Sequence, residues 1–219
     1  MTDLAQLFIR WQHGWSVARG LPAAQDVDGG LRVHCAQPGR AVEYFAPGAD
    51  ADPGLLARLA ARVRQESVVT WLTTPTVRPG PTAGALERAG LVLVQRAEQL
   101  MVTDLATHPD RPPAGSYSLD VRVEGTAVTA LVRHDSGERA AGGVMGVTGT
   151  DAVADRILTE PGHRRRGLAG TVMAALARTA VDLGARHGVL IASADGQRLY
   201  PTLGWRPVAD VVIAANRRS

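Results

Sequence analysis

Residues 158–177 read LTEPGHRRRGLAGTVMAALA. Arg164, Arg165 and Arg166 run into Gly167, then into small residues and a helical pattern. Leu168, Val172, Leu176, Thr179 and Leu183 recur along one face, which predicts a helix over 167–183. The first turn of a helix exposes backbone N–H groups without partners and carries the positive end of the helix dipole, so it attracts anions. Gly167, Ala169 and Gly170 would let a phosphate approach the backbone, and arginines add charge and forked donors. Two readings stand side by side: a pyrophosphate cradle following a strand at 152–159, and a solvated basic turn that caps a helix. Other phosphate motifs do not fit. A Walker loop needs Gly-Lys-Ser/Thr, and the chain contains no lysine. The dinucleotide fingerprint needs three glycines and an acidic residue at a strand end, and both are missing.

The surrounding pattern is mixed. Downstream, HGVLIAS (187–193) reads as a buried strand, GQRLYPTLG (196–204) as a short helix ended by Gly204, and WRPVADVVIAA (205–215) as a last strand. Upstream, YSLDVRV, AVTALVRHD, RAAGGVMGVT and AVADRILTE are four successive strands, two of them flanking the turn HDSGE. ATHPDRPPAG (106–115), rich in proline and glycine, reads as a linker. Before it come a helix over 3–18, a turn-rich break at 21–30, a hairpin LRVHCA/AVEYFA and a helix over 52–65 capped by Asp52. A strand at 67–74, a short helix at 82–90 and a long strand at 91–105 follow. Helices and strands in this alternation predict a mixed α/β or α+β fold, with a mostly antiparallel sheet flanked by helices.

Composition narrows the class. The 219 residues suffice for one large domain or two small ones, and 45% apolar with 21% charged residues suits a globular chain. No apolar run is long enough for a membrane helix, and the start MTDLAQLFIRWQHGW lacks the features of a signal peptide. Cys35 is the single cysteine and cannot form an internal disulfide, which fits a reducing cytoplasm. It has no neighbours at metal-ligand spacing, so it reads as a buried inert thiol and no metal is expected. The net charge is only +3, and the arginines are scattered apart from Arg164 to Arg166, so no nucleic-acid partner is expected.

Two motifs together carry a resemblance. HRRRGLAG resembles the acyl-CoA signature Gln/Arg-x-x-Gly-x-Gly/Ala of the GCN5-related N-acetyltransferase (GNAT) superfamily, with Arg164, Gly167 and Ala169 in frame. ASADGQRLYPTLGWRPV resembles the family's Asn-x-x-Ala-x-x-Leu-Tyr-x-x-x-Gly-Phe region through Leu199, Tyr200, Gly204 and Trp205. Ser193 replaces the common Asn, and Gly196 the common Ala. The likeness covers about residues 117–219 and implies a GNAT-like fold, acetyl-CoA as acyl donor and direct attack by an amine. It implies that backbone groups of Arg165, Arg166, Gly167, Leu168, Ala169 and Gly170 hold the pyrophosphate, with Arg164 and Ser193 also at the donor site. It implies further that the edge at Ile157, Leu158 and Thr159 pairs with the pantetheine amides, and that Tyr200 protonates the departing thiolate. Asp155 is a candidate base and, on a regular strand, shares a face with Ile157 and Thr159. The competing reading of Asp155 is a carboxylate paired with a nearby arginine. His163 reads as a turn or adenosine-side residue, and His187 as structural.

The chain departs from that family in one respect. A single acetyltransferase domain places two helices after its first strand, and here 117–122 runs almost directly into the next strand. The expected organisation is residues 1–105 as a structural or acceptor-binding half, 106–116 as linker and 117–219 as the catalytic half. The stretch ALERAGLVLVQRAEQLMVTDL resembles the tail of a second, degenerate GNAT-like unit without an arginine frame. TVRPGPTAGALERAG has glycines but a proline-broken approach and no arginine frame, so one acyl-CoA site is expected, in the second half. Trp11 and Trp15 either shape an acceptor pocket or, at four-residue spacing, pack in the core. The expected acceptor is an amine-bearing small molecule or peptide, with a non-catalytic acyl-CoA-binding module as the alternative. The sequence leaves homodimerisation undecided.

Overall fold

The computed structural model describes residues 3–113 and 115–217, and the side chains of all of these but 95–97. Helix α1 spans Leu4–Arg19; Asp3 accepts from Ala5 N–H at its start, and Gly20 ends it at φ 62. Strands β1 (Gln25–Val27), β2 (Gly30–Gln37) and β3 (Arg40–Phe45) follow. Helix α2 (Pro53–Gln65) is capped by Asp52, as its Asp-Pro start predicts. Then come β4 (Thr70–Thr76), α3 (Pro79–Arg88) and β5 (Val92–Asp104). The second half contains β6 (Tyr117–Glu124), β7 (Ala127–His134), β8 (Arg139–Thr148), β9 (Asp151–Thr159), α4 (Leu168–Asp182) and β10 (His187–Ala192). It ends with α5 (Gly196–Leu199), a 3-10 turn over Tyr200–Leu203 and β11 (Arg206–Ala215). Strand β1 lies within the segment expected to be a break; its three residues carry no apolar alternation that could announce it.

All eleven strands form one sheet, in the order β1-β2-β3-β4-β11-β5-β10-β9-β8-β7-β6. Most pairings are antiparallel; β3–β4 and β9–β10 are parallel. The linker divides the chain but not the sheet. Strand β11 of the second half sits between β4 and β5 of the first, and β5 sits between β11 and β10. The linker itself lies along α4: Asp110 meets Arg178, and Arg111 covers Gly170.

Helix α1 occupies one face of this sheet. Its Phe8, Trp11 and Trp15 pack on Phe45 of β3, with ring centroids 5.5–6.2 Å apart. Its Arg10 and Arg19 reach Asp151 and Asp155 on β9. Strands β3 and β9 are five strand spacings apart, roughly 24 Å on a flat sheet. A helix only about 10–12 Å across touches both, so the sheet wraps around it. Trp11 and Trp15 are therefore core residues, 5% and 3% exposed. On the opposite face α4 packs on β7, β8 and β9, and α2 and α3 cover the first half. The two helices missing after β6 are thus replaced on one face by α1, which the first half supplies.

Candidate active site

Strand β9 ends in a cleft. It pairs with β10 only over Asp151–Val153, while its other edge stays paired with β8 as far as Thr159. The edge from Ala154 to Thr159 that faces β10 therefore has no ladder partner. Arg156 has φ 54, and the β8–β9 register shifts beside it. That bulge corrects the expected alternation. Asp155 faces α1, where it meets Arg19, whereas Ile157 packs on the α4 side. The two do not share a strand face, because an inserted residue reverses the pleat.

The cleft opens into a cavity of about 410 Å³. Ile157, Leu158, Thr159, Arg164, Arg165, Gly167, Leu168, Ala169, Gly170, Ser193 and Tyr200 all line it, so nearly every residue expected at the donor site converges there. Arg165 and Gly167 adopt left-handed backbone conformations, φ 60 and 77. Gly167 is the N-cap of α4, and a side chain there would meet no protein atom within 4 Å. The first helical bond after it runs from Thr171 N–H to Gly167 C=O. The N–H groups of Leu168, Ala169 and Gly170 therefore lack helical acceptors. Arg164 Nε donates to Thr159 C=O at 3.3 Å, tying the loop to the end of β9.

Two expected contributors differ in detail. Arg166 turns away from the cavity and donates to Tyr117 Oη at 2.9 Å. Tyr117 in turn meets His163 Nδ1 at 3.0 Å, so His163 belongs to the turn. Gly170 does not offer its α-carbon to a phosphate: a side chain there would meet Arg111 at 2.8 Å. Its small size leaves room for Arg111 of the linker, and its N–H is the group left for the anion end.

Tyr200 is 8% exposed and lines the cavity. Burial, with the charge of Asp155, pushes its hydroxyl up to about 12, so it is protonated at neutral pH. Gly196 stands where the family frame has alanine because a side chain there would meet the Tyr200 ring at 2.6 Å. Ser193 Oγ accepts from Gly196 N–H at 3.4 Å and braces the turn that holds Tyr200. Asp155 accepts from Arg19 through both oxygens, at 2.6 and 3.1 Å. This is the paired carboxylate of the competing reading.

The first half repeats the order strand, helix, strand, short helix, strand through β3, α2, β4, α3 and β5. Its counterpart of the arginine loop is the segment APGADADPG before and into α2. That segment is acidic. Asp50 accepts from Thr76 Oγ1 at 2.6 Å and Val77 N–H at 2.8 Å, while Asp52 caps α2. Strands β3 and β4 stay paired from Val42 to Phe45, and Ala46 N–H still donates to Thr73 C=O. No cleft opens there. A larger groove, about 980 Å³, lies at the other end of β5, β10 and β11 and is lined by Arg10, Asp104, His187 and Arg206. The start of α1 at Leu4 borders it, and there the Asp3 carboxylate accepts from Ala5 N–H, so that helix start already has its anion. Among the described residues no group of histidine, cysteine and acidic side chains could hold a metal ion, and no described helix is long and apolar enough to cross a membrane.

The model of the acetyltransferase (GNAT) family matches residues 94–205, half of the chain, from within β5 to Trp205. A comparison with curated protein sequences gives no match. Among solved structures, a GCN5-related N-acetyltransferase from Kribbella flavida superposes with a TM-score of 0.69 at 18% identity. The superposition covers 100% of this chain and 97% of that one. A tandem GNAT protein from the clavulanic acid biosynthesis pathway gives 0.57 at 15% identity, covering 99% and 96%. A GNAT-family protein from Novosphingobium aromaticivorans gives 0.61 at 18% identity, covering 97% and 96%. These likenesses extend through the first half as well as the second. With the family model spanning the cleft, the arginine loop and Tyr200, the chain belongs to the acetyltransferase (GNAT) family.

Proposed function

We propose that this protein transfers an acetyl group from acetyl-CoA to a primary amine of a small molecule or peptide, by direct attack with both substrates bound. The observation that carries this reading is the continuity of three features in one cavity. They are the open left-handed Gly167 with free helix N–H groups, the unpaired edge of β9 and the buried Tyr200 hydroxyl. Acetyl-CoA, when bound, supplies a thioester that an amine can attack. The N–H groups of Leu168, Ala169 and Gly170 face the pyrophosphate, and Arg164 and Arg165 add charge beside it. The edge at Ile157, Leu158 and Thr159 pairs with the amides of the donor's arm as an added strand would. One of its N–H groups polarises the thioester carbonyl.

Tyr200 donates to the departing sulfur. Its hydroxyl, near 12, is a weaker acid than an ordinary thiol at roughly 8.5. It therefore acts as a hydrogen-bond donor that passes its proton on as the acylated nitrogen returns one. Both oxygens of Asp155 are held by Arg19, and its charge adds to burial in raising the Tyr200 hydroxyl. The acidic, closed counterpart in the first half supports one donor site per chain.

Isothermal titration with acetyl-CoA tests the reading. One site per chain with micromolar affinity is expected, and no binding at millimolar ligand would overturn it. Binding without thiol release, across a broad panel of amines, would favour a non-catalytic acyl-CoA-binding module instead.

A further inference from the structure

The α1 face of the sheet is apolar along most of its length and turns polar under the cleft. Leu100, Val153, Val189 and Val211 belong to the core beneath α1. Side chains two residues along a regular strand point the same way. Glu98 on β5 therefore shares the α1 face with Leu100, and its strand partner Val211 belongs to the same core. Gln99 pairs with Ala192, the last residue of β10, so Glu98 lies level with Ser193 at the mouth of the cleft. Asp155 stands on the same face across the cleft, on β9.

Three carboxylates meet here with the guanidinium groups of Arg19 and Arg40, and Arg156 Nε lies 3.9 Å from Asp155. Arg19 of α1 holds Asp155. Arg40, at the start of β3, donates to Glu43 at 3.1 Å, and Thr73 of β4 donates to Glu43 at 2.5 Å. Both arginines are committed further. Gln37 Oε1 accepts from Arg19 at 3.3 Å and from Arg40 at 3.0 Å. Arg19 lies 4.9 Å over Trp15, and Arg40 lies 4.9 Å over Trp71. Glu98 alone of the three has no hydrogen-bond or ion-pair partner among the described residues. Burial raises its carboxyl above the usual range, Glu43 raises it further and Arg40 opposes the shift. Cys35 of β2, a further titratable group of this cluster, is pushed up to about 11 by burial and by Glu43. It stays a neutral thiol.

We propose that Glu98, supplied by the first half of the chain, takes the proton from the acceptor's primary ammonium group, which enters from the α1 side of the cleft. This rests on the acetyltransferase reading above. The unpartnered carboxylate suits a primary ammonium. The step balances. The ammonium gives one proton to a Glu98 carboxylate oxygen, and the freed nitrogen pair forms the C–N bond as the C–S bond breaks. The sulfur takes the Tyr200 proton, and the acylated nitrogen returns a proton to Tyr200. Glu98 then releases its proton to solvent. Acid and base stand on opposite faces of the sheet, one beside the leaving sulfur and the other beside the entering nitrogen.

The test uses the full chain and the variant Glu98→Gln, with benzylamine and spermidine as probe acceptors. Calorimetry should give an acetyl-CoA affinity within twofold of the native protein, because Glu98 does not line the donor cavity. Thiol release with either amine should fall about 10²-fold near neutral pH and recover as the pH rises and free amine becomes available. The second readout is carboxyl carbon NMR of the native protein, with the Glu98 signal identified by its loss in Glu98→Gln or its displacement in Glu98→Asp. That signal should titrate above the ordinary glutamate range and shift on adding benzylamine, but not benzyl alcohol. Unchanged turnover in Glu98→Gln would overturn the proposal. So would a Glu98 signal that titrates at or below the ordinary range or ignores benzylamine, whether or not either amine is turned over. Failure of the native protein to bind acetyl-CoA would instead remove the acetyltransferase reading.

Discussion

Tyr200 and Gly167 make separable contributions, one to rate and one to binding. Replacing Tyr200 with phenylalanine keeps the ring that lies on Gly196 and removes only the hydroxyl. Acetyl-CoA affinity should stay within a factor of about two. Turnover should fall by roughly 10²-fold, the low end for losing a positioned proton donor, because a thiolate is a tolerable leaving group. Thiol release and calorimetry on one preparation check both numbers, and wild-type turnover would remove Tyr200 from the mechanism. Since the native hydroxyl titrates near 12, its loss should not change the rate profile between pH 6 and about 10. Gly167→Val should do the reverse. It places a branched side chain at φ 77, costing about 1–2 kcal/mol of stability, and fills the open volume in front of the helix. Acetyl-CoA affinity should drop at least about 10²-fold while circular dichroism stays native. A folded Gly167→Val with unchanged affinity would eliminate the cradle.

At the level of elements, the contact that sets α1 on the sheet is a pair of glycines. A side chain at Gly146 of β8 would meet Gly14 C=O at 2.2 Å and Ala18 N at 2.6 Å. A side chain at Gly14 would meet Val153 at 2.4 Å. At Gly146 backbone lies against backbone, so no rotamer change can relieve the crowding. Gly146→Ala should therefore lower stability by about 1–3 kcal/mol, read as the midpoint shift in urea. It should also weaken turnover more than acetyl-CoA binding, because displacing α1 draws Arg19 away from Asp155 and leaves the arginine loop in place. Equal stability of Gly146→Ala and the native protein would mean that α1 packs more loosely than these distances indicate.

For the molecule as a whole, the exchange of β5 and β11 makes the two halves interdependent. Without the first half, β10 loses its antiparallel partner from Asp104 to Gln99, and β11 loses both of its neighbours. Residues 106–219 expressed alone should not give a folded acyl-CoA binder, as judged by amide NMR dispersion and calorimetry. Co-expression with residues 1–105 should restore both signals, because strand pairing needs both chains and not the covalent linker. A dispersed spectrum and native affinity from the second half alone would contradict this account.

The arginine loop and α4 were legible in the residues because their signals are local. A helix start, a left-handed glycine and a strand–loop–helix order lie within about twenty neighbouring positions. Most strands and helices were legible for the same reason, since periodicity, caps and turn glycines act over a few residues. What depended on distant parts of the chain was not legible. The bulge at Arg156 reverses a strand face, and no local signal marks it. The wrapping of the sheet around α1 pairs Arg19 with Asp155, 136 residues later in sequence. The acidic loop before α2 became recognisable as the counterpart of the arginine loop only once β3 and β4 proved to be the closed equivalents of β9 and β10. The placement of Glu98 beside the cleft follows from a strand exchange between halves. Such pairings are decided by which faces bury together across the whole molecule, and a short window of sequence contains no term for that.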